Sequence, residues 1–233
     1  MYQKEEYITT GYCSPLRELS LTALSLICQE IAIQEVEVNY GYDHTKTIDR
    51  GFLWVIAKTH FEINRMPKYE ERVRVITYPG KRLAAFFLRQ YRIEALSGEL
   101  LVKGVSVWAI VDASSRKMVT PEQAELPIPT ESMEDELGFP KGYHAPELSS
   151  KAVLAGRFSY CDVNGHVNNT KYFDFIADAI PMDYQKSHKV QSVDIAYKKE
   201  IPLGVEVEVH YGEEGGDYYF VSDHFDARIS YRE

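Results

Sequence analysis

One arrangement is written twice along this chain, and it restricts the fold more than any other property of the sequence. Tyr12-Cys13 precedes an apolar stretch in which Leu24, Ile27, Ile31 and Ala32 recur three and four residues apart, as on the buried face of a helix. Tyr160-Cys161 precedes a second such stretch, Thr170 to Ile180, with Tyr172, Phe173, Ile176 and Ile180 on its apolar face. Strand-like segments follow each. In the first half they are Phe52 to Ile63, Arg72 to Tyr78, Ala85 to Glu94 and Leu100 to Asp112, the last long enough to imply a large curved sheet. In the second they are Ser192 to Tyr197, Val205 to Tyr211, Tyr218 to His224 and Ala227 to Tyr231. Val205-Glu-Val-Glu-Val209 alternates as a strand with one wet face does, and Glu213-Glu-Gly-Gly216 reads as a hairpin turn. A helix followed by antiparallel strands, used twice, predicts an α+β protein of two similar units, residues 1–120 and 151–233. Between them, residues 121–150 carry Pro121, Pro127, Pro129, Pro140 and Pro146 among many acids, and read as a linker lying over the surface.

Charge and cysteine usage narrow the function classes. A net charge of −9 disfavours bulk attraction to nucleic acid or anionic membranes. The longest apolar run, Leu100 to Val111, is broken by Lys103, Gly104 and Ser106 and is too short to span a bilayer. The N-terminus has no apolar run behind a basic start, and Cys13, Cys28 and Cys161 have no Cys-x-x-Cys spacing. Reduced thiols and a cytoplasmic location are the expectation. One local exception to the acidity stands out: Arg65, Lys68, Arg72, Arg74, Lys81 and Arg82 fall within eighteen residues. They read either as a solvated strand face or as a surface for an acidic partner.

Chemistry concentrates in Asp162-Val-Asn164-Gly-His166-Val-Asn168-Asn169, which places a carboxylate, an amide and an imidazole at i, i+2 and i+4 just before the second helix. Gly165 lets the backbone turn between them. Hydrolysis of an ester or thioester needs a base for water, a stabiliser for the oxyanion and a group that orients the carbonyl. Asn164 and His166 can hydrogen-bond, Asp162 can orient or act directly, and the helix start offers free N–H groups. A second carboxylate, Glu200, ends a strand of the same unit and is followed by Ile201-Pro202. Asn168 and Asn169 serve equally well as helix caps. The corresponding place in the first half reads Ser14-Pro-Leu-Arg-Glu-Leu-Ser-Leu21, without the Asp/Asn/His set, so the chemistry belongs to the second unit alone. Cys161 reads as a buried, inert thiol rather than a nucleophile. The other histidines show no metal-binding spacing, and neither a phosphate loop nor a Gly-x-Ser-x-Gly elbow is present. No metal and no cofactor is expected.

These residues, with Lys171-Tyr172 after them, resemble the active-site segment of the acyl-acyl carrier protein thioesterases. The likeness extends to Leu53-Trp54-Val55, Arg65-Met-Pro67-Lys-Tyr-Glu70, Ser97-Gly-Glu99 and Val105-Ser-Val-Trp108, and covers most of residues 5–211. It implies a tandem double hot-dog fold, each unit a long helix wrapped by an antiparallel sheet. It implies as well the release of a free fatty acid from the phosphopantetheine thioester of acyl carrier protein. Asp162, Asn164 and His166 then become the motif residues, with Glu200 as the water-activating candidate and Asp162 as orienter or nucleophile. Plant members carry a cysteine directly after the glutamate; Ile201 here excludes a papain-like mechanism at that position. The acyl chain is expected near Trp54 and the helix face of Leu24, Ile27 and Ile31. The basic cluster, with Lys198 and Lys199, is the expected carrier docking surface, and a homodimer is compatible with the resemblance. The family pattern continues past Tyr231, so the second sheet is expected to lack a final strand or to be shorter. An acyl-CoA thioesterase and a non-catalytic acyl-binding hot-dog protein are the alternative readings.

Overall fold

In the computed structural model, residues 1–41, 44–126 and 137–233 are described. In chain order the elements are β1 (Tyr2–Tyr7), α1 (Leu21–Tyr40), α2 (His44–Asp49), β2 (Phe52–Ile63), β3 (Arg72–Leu83), β4 (Phe86–Ala95), β5 (Leu100–Asp112) and β6 (Met118–Val119). There follow α3 (Pro121–Ala124), β7 (Ser150–Ala155), α4 (Lys171–Ala179), α5 (Met182–Ser187), β8 (Lys189–Tyr197), β9 (Glu206–Glu214), β10 (Asp217–Val221) and β11 (Phe225–Arg232). The strands join into one sheet in the order β1-β3-β4-β5-β2-β8-β11-β10-β9-β7, with β6 paired to β5, and every pairing is antiparallel. The two halves meet where β2 pairs with β8, Lys58 opposite Ala196 through Glu62 opposite Ser192.

Local chemistry explains the helices. Ser20 caps α1 by accepting the Ala23 N–H at 3.1 Å, and Gly41 ends it in the left-handed region at φ 64°. Its buried positions, among them Leu24, Ile27, Cys28, Ile31 and Glu35, recur at helical spacing. The second helix is shorter than the expected long one: α4 runs nine residues, because Pro181 forces Ile180 into extended backbone. α4 packs against α1, and the Thr22 hydroxyl hydrogen-bonds the Asp174 carboxylate between them. Their apolar faces and the inner faces of both half-sheets form one core, with Phe61, Phe173, Phe220 and Phe225 at 1% exposure or less.

Several strands differ from expectation. β1 and β7 are edge strands whose outward faces mix polar residues, such as Gln3, Glu5 and Lys151, with the exposed Tyr7 and Val153, so no clean apolar alternation marks them in sequence. β3 runs five residues past Tyr78, with a register shift between Pro79 and Arg82. The glycine pair does make the turn: Gly215 and Gly216 join β9 to β10 with φ of 65° and 88°. β11, holding Ala227 to Tyr231, lies inside the sheet between β8 and β10; among the described residues the second half contributes five strands and the first six. Of the proline-rich segment, Pro127 and Pro129 lie outside the described residues. Farther along, Lys58 donates to the Pro140 carbonyl, Gln90 to that of Leu137, and Arg228 sits 5.1 Å over the Tyr143 ring. These contacts pin residues 137–143 across β4, β2 and β11.

Candidate active site

A short backbone device occurs in both halves and sets the site. In the second, Asp162 N–H donates to the His166 carbonyl at 2.9 Å, Gly165 to Asp162 at 3.0 Å, Val167 to Ile201 at 2.8 Å and Asn168 to Tyr160 at 2.8 Å. In the first, Ser14 donates to Glu18 at 2.9 Å, Arg17 to Ser14 at 3.0 Å, Leu19 to Pro67 at 2.8 Å and Ser20 to Tyr12 at 2.9 Å. Bond for bond the two loops match. Leu16 therefore stands where Asn164 stands, Arg17 (φ 60°) where Gly165 does (φ 79°), Glu18 where His166 does, and Met66 where Glu200 does. The scaffold is duplicated and the chemistry is not. The pocket beside Leu16, Glu18 and Met66 measures about 140 Å³, against about 1310 Å³ at the second loop.

The second loop brings the expected residues together. Asp162, Asn164, His166 and Glu200 all line the large cavity. His166 pairs with Pro202 in an antiparallel bridge, which carries Glu200 alongside, and Nε2 of His166 lies 3.5 Å from Oε2 of Glu200. That is ion-pair reach, longer than an ordinary hydrogen bond, as catalytic contacts often are before substrate arrives. Asp162 Oδ1 accepts the Asn164 backbone N–H at 2.8 Å, so this carboxylate fixes the turn that presents Asn164. Asn168 accepts from the backbone and hydroxyl of Thr170 at 2.9 and 2.8 Å, an Asx turn leading into α4. Beneath Glu200, the rings of Tyr172 and Tyr197 meet edge to face at 5.3 Å, and Tyr197 donates to the Asn169 carbonyl at 3.0 Å. Burial, and then the neighbouring Glu200 charge, push the Tyr172 hydroxyl well above its ordinary pKa, so it stays a neutral phenol.

One participant was not anticipated. Arg116, from the turn between β5 and β6, holds Oε1 of Glu200 through Nη1 at 3.0 Å. It comes from the other half of the chain, 84 residues away, and no local motif marks it.

Other expected site residues sit elsewhere. Trp54 lines the cavity, edge to face with Phe87 at 5.2 Å. Leu24, Ile27 and Ile31 do not: they are 4% exposed or less and pack in the core. The cavity touches another strip of α1, Gln29, Ala32, Ile33 and Val36. The basic cluster divides as well. Arg65 grips Glu71 and Glu99 at 2.8 Å beside the small pocket, with Lys68 next to it and Arg72 and Arg74 at the start of β3. Lys81 and Arg82 lie at the far end of that twelve-residue strand, roughly 35 Å away at full extension. Arg82 lines the large cavity, paired with Glu122, and so do Lys198 and Lys199. Cys161 is half-buried rather than buried, and it is not part of the cavity wall.

Two helix-bearing antiparallel units joined edge to edge define a tandem double hot-dog. An acyl-ACP thioesterase from Bacteroides thetaiotaomicron has this fold with TM-score 0.85 at 18% identity, covering 99% of this chain and 97% of that one. So does the 12:0-ACP thioesterase from Umbellularia californica, with TM-score 0.81 at 20% identity over 99% and 96%. The acyl-ACP thioesterase N-terminal domain matches residues 2–125 and the C-terminal domain residues 143–229; the chain belongs to the acyl-ACP thioesterase family. It is 26% identical over 200 residues to a chloroplastic palmitoyl-acyl carrier protein thioesterase from Cuphea hookeriana, 79% of this chain and 48% of that protein. With an oleoyl-acyl carrier protein thioesterase of Arabidopsis thaliana it shares 24% over 216 residues, 84% and 59%. The chain thus spans about half the length of the first of these plant proteins.

Proposed function

We propose that this protein hydrolyses the thioester of fatty acyl-acyl carrier protein, releasing free fatty acid and carrier thiol. The observation that carries the reading is the His166–Glu200 pair, with Asn164, on the wall of a cavity of about 1310 Å³ that also takes in Trp54, Phe87 and Val36. In this scheme Glu200 takes a proton from water through Oε2, and the water oxygen bonds to the acyl carbon. His166 and Asn164 stabilise the charge that develops on the carbonyl oxygen. The carbon–sulfur bond then breaks, and the proton passes to the departing thiolate. Asp162 orients the loop, and Arg116 anchors Glu200. The chain is bounded by the Gln29 to Val36 strip of α1 and by β2 near Trp54.

An acidic carrier would dock at the cavity mouth over Lys81, Arg82, Lys198 and Lys199 rather than over the Arg65 end. We place the protein in the cytoplasm on its unpaired Cys13, Cys28 and Cys161; no helix among the described residues is long and apolar enough to cross a membrane. Residues 1–120 and 151–233 are proposed as the two units, the first holding the acyl chain and the second the reacting groups. The test compares one acyl group on carrier protein and on coenzyme A. Carrier thioester cleaved at higher kcat/KM supports the reading; preference for the CoA ester assigns an acyl-CoA thioesterase, and cleavage of neither leaves an acyl-binding protein.

A further inference from the structure

Among the described charged residues that line the cavity, Arg89 alone is buried; the others lie at the reacting groups or on exposed parts of the wall. Arg89, on β4, lines the cavity while only 8% exposed, and Glu35, on α1 behind it, is 1% exposed. Nη1 of Arg89 donates to Oε2 of Glu35 at 2.8 Å, and Asn39 donates to Oε1 at 2.9 Å, so both carboxylate oxygens are engaged. The guanidinium is not. It carries five N–H donors, and among the described residues Glu35 is its one hydrogen-bonded side-chain partner. The rung of the sheet beneath is polar too: Arg89 lies opposite Ser106, and Ser106 opposite Thr59. The Ser106 hydroxyl is joined to the Tyr91 hydroxyl at 2.8 Å and the Trp108 indole N–H at 2.6 Å.

Burying such a pair costs free energy, and hydrocarbon laid against it returns none. An oxygen there would meet the remaining donors. Because Glu35 already neutralises the charge, a neutral acceptor suits the site better than a carboxylate. β4 lies three strand spacings from β8, the strand that leads to Glu200, or about 14 Å in the sheet. The rung of Arg89 meets β8 at Ile195, five residues before Glu200, so the reacting groups lie along the sheet as well as across it, and a series of hydroxyl positions is needed to find the match.

We propose that the cavity selects acyl chains bearing a hydroxyl or oxo group in their distal half, read by Arg89 with Glu35 behind it. The inference rests on the thioesterase reading for its substrate and on the cavity alone for its specificity. The test compares dodecanoyl, 8-hydroxydodecanoyl, 10-hydroxydodecanoyl and 12-hydroxydodecanoyl thioesters of carrier protein with the wild-type chain. One charge-assisted hydrogen bond predicts about a 10- to 100-fold higher kcat/KM for at least one hydroxy isomer over dodecanoyl. The Glu35→Leu/Arg89→Met double variant, which leaves no orphan charge, should lose that preference. Calorimetric binding of dodecanoic acid against the same hydroxy acids makes the comparison without turnover, so a failure of hydrolysis and a failure of the polar wall give different results. Equal or better use of the plain chain by the wild type overturns the proposal. So does a hydroxyl preference that survives in the folded double variant.

Discussion

Gly156 is no part of the cavity wall, yet Gly156→Ala should disable the site. A Cβ built there would lie 2.1 Å from the carbonyl oxygen of Pro202 and 3.1 Å from its carbon, where ordinary contact begins at 3.4 Å. Gly156 has no positive φ, so space is the whole difficulty. Both neighbours are backbone and cannot swing aside, so the segment carrying Glu200, Ile201 and Pro202 must retreat by more than about 1 Å. Two hydrogen bonds hold it, Gly156 N–H to Val205 at 2.8 Å and Gly204 N–H to Gly156 at 2.7 Å. Loss of both costs about 2 kcal/mol, roughly 4–8 °C in Tm for a chain of this size. The retreat draws Glu200 away from His166, and a misplacement of about 1 Å costs on the order of 10²-fold in rate. Steady-state kinetics with circular dichroism measures both. KM for the acyl chain should hold, because the cavity wall belongs largely to the first half. Gly142→Ala, whose added Cβ meets nothing within 4 Å, should behave as the parent chain. A folded Gly156→Ala protein with kcat within about twofold of the parent would refute the reasoning.

Two further predictions concern charge. Arg116→Ala releases Oε1 of a half-exposed Glu200; kcat should fall about tenfold with little change in Tm, since exposed ion pairs contribute at most about 1 kcal/mol. A full loss of folding, or no change in kcat, would count against an anchoring role. Lys198→Glu/Lys199→Glu should raise KM for the carrier-bound substrate at low salt and leave a small acyl thioester unaffected, with the difference shrinking as ionic strength rises. Arg65→Glu/Lys68→Glu, at the other end of the molecule, should affect neither substrate. Equal effects on both substrates would reject docking at the mouth.

The sequence made local chemistry legible and non-local geometry obscure. The segment 162–169 could be read because its groups are neighbours in the chain, and the repeat could be read because both copies keep their Tyr-Cys entry and helical spacing. Glu200 was accessible through the rigid Ile201-Pro202 that follows it. Arg116 was not, because its approach depends on a β5–β6 turn folding back across the boundary between halves. The misplacement of Leu24, Ile27 and Ile31 has a simple cause: periodicity tells which face of α1 is buried, not whether that face meets core or cavity. The basic cluster misled for the opposite reason. Eighteen residues close in sequence include a strand, and a strand carries its two ends apart at about 3.3 Å per residue. Arg89 and Glu35, 54 residues apart, are an unremarkable arginine and glutamate until α1 is laid on the sheet.

The central claim is that His166 and Glu200 act together on a thioester at the only one of two matching loops equipped for it. The most direct measurement is the single-turnover rate of acyl-carrier thioester cleavage by His166→Ala, with circular dichroism confirming the fold. The account predicts a fall of about 10²–10⁴-fold with substrate still bound. Turnover at the parental rate would contradict it.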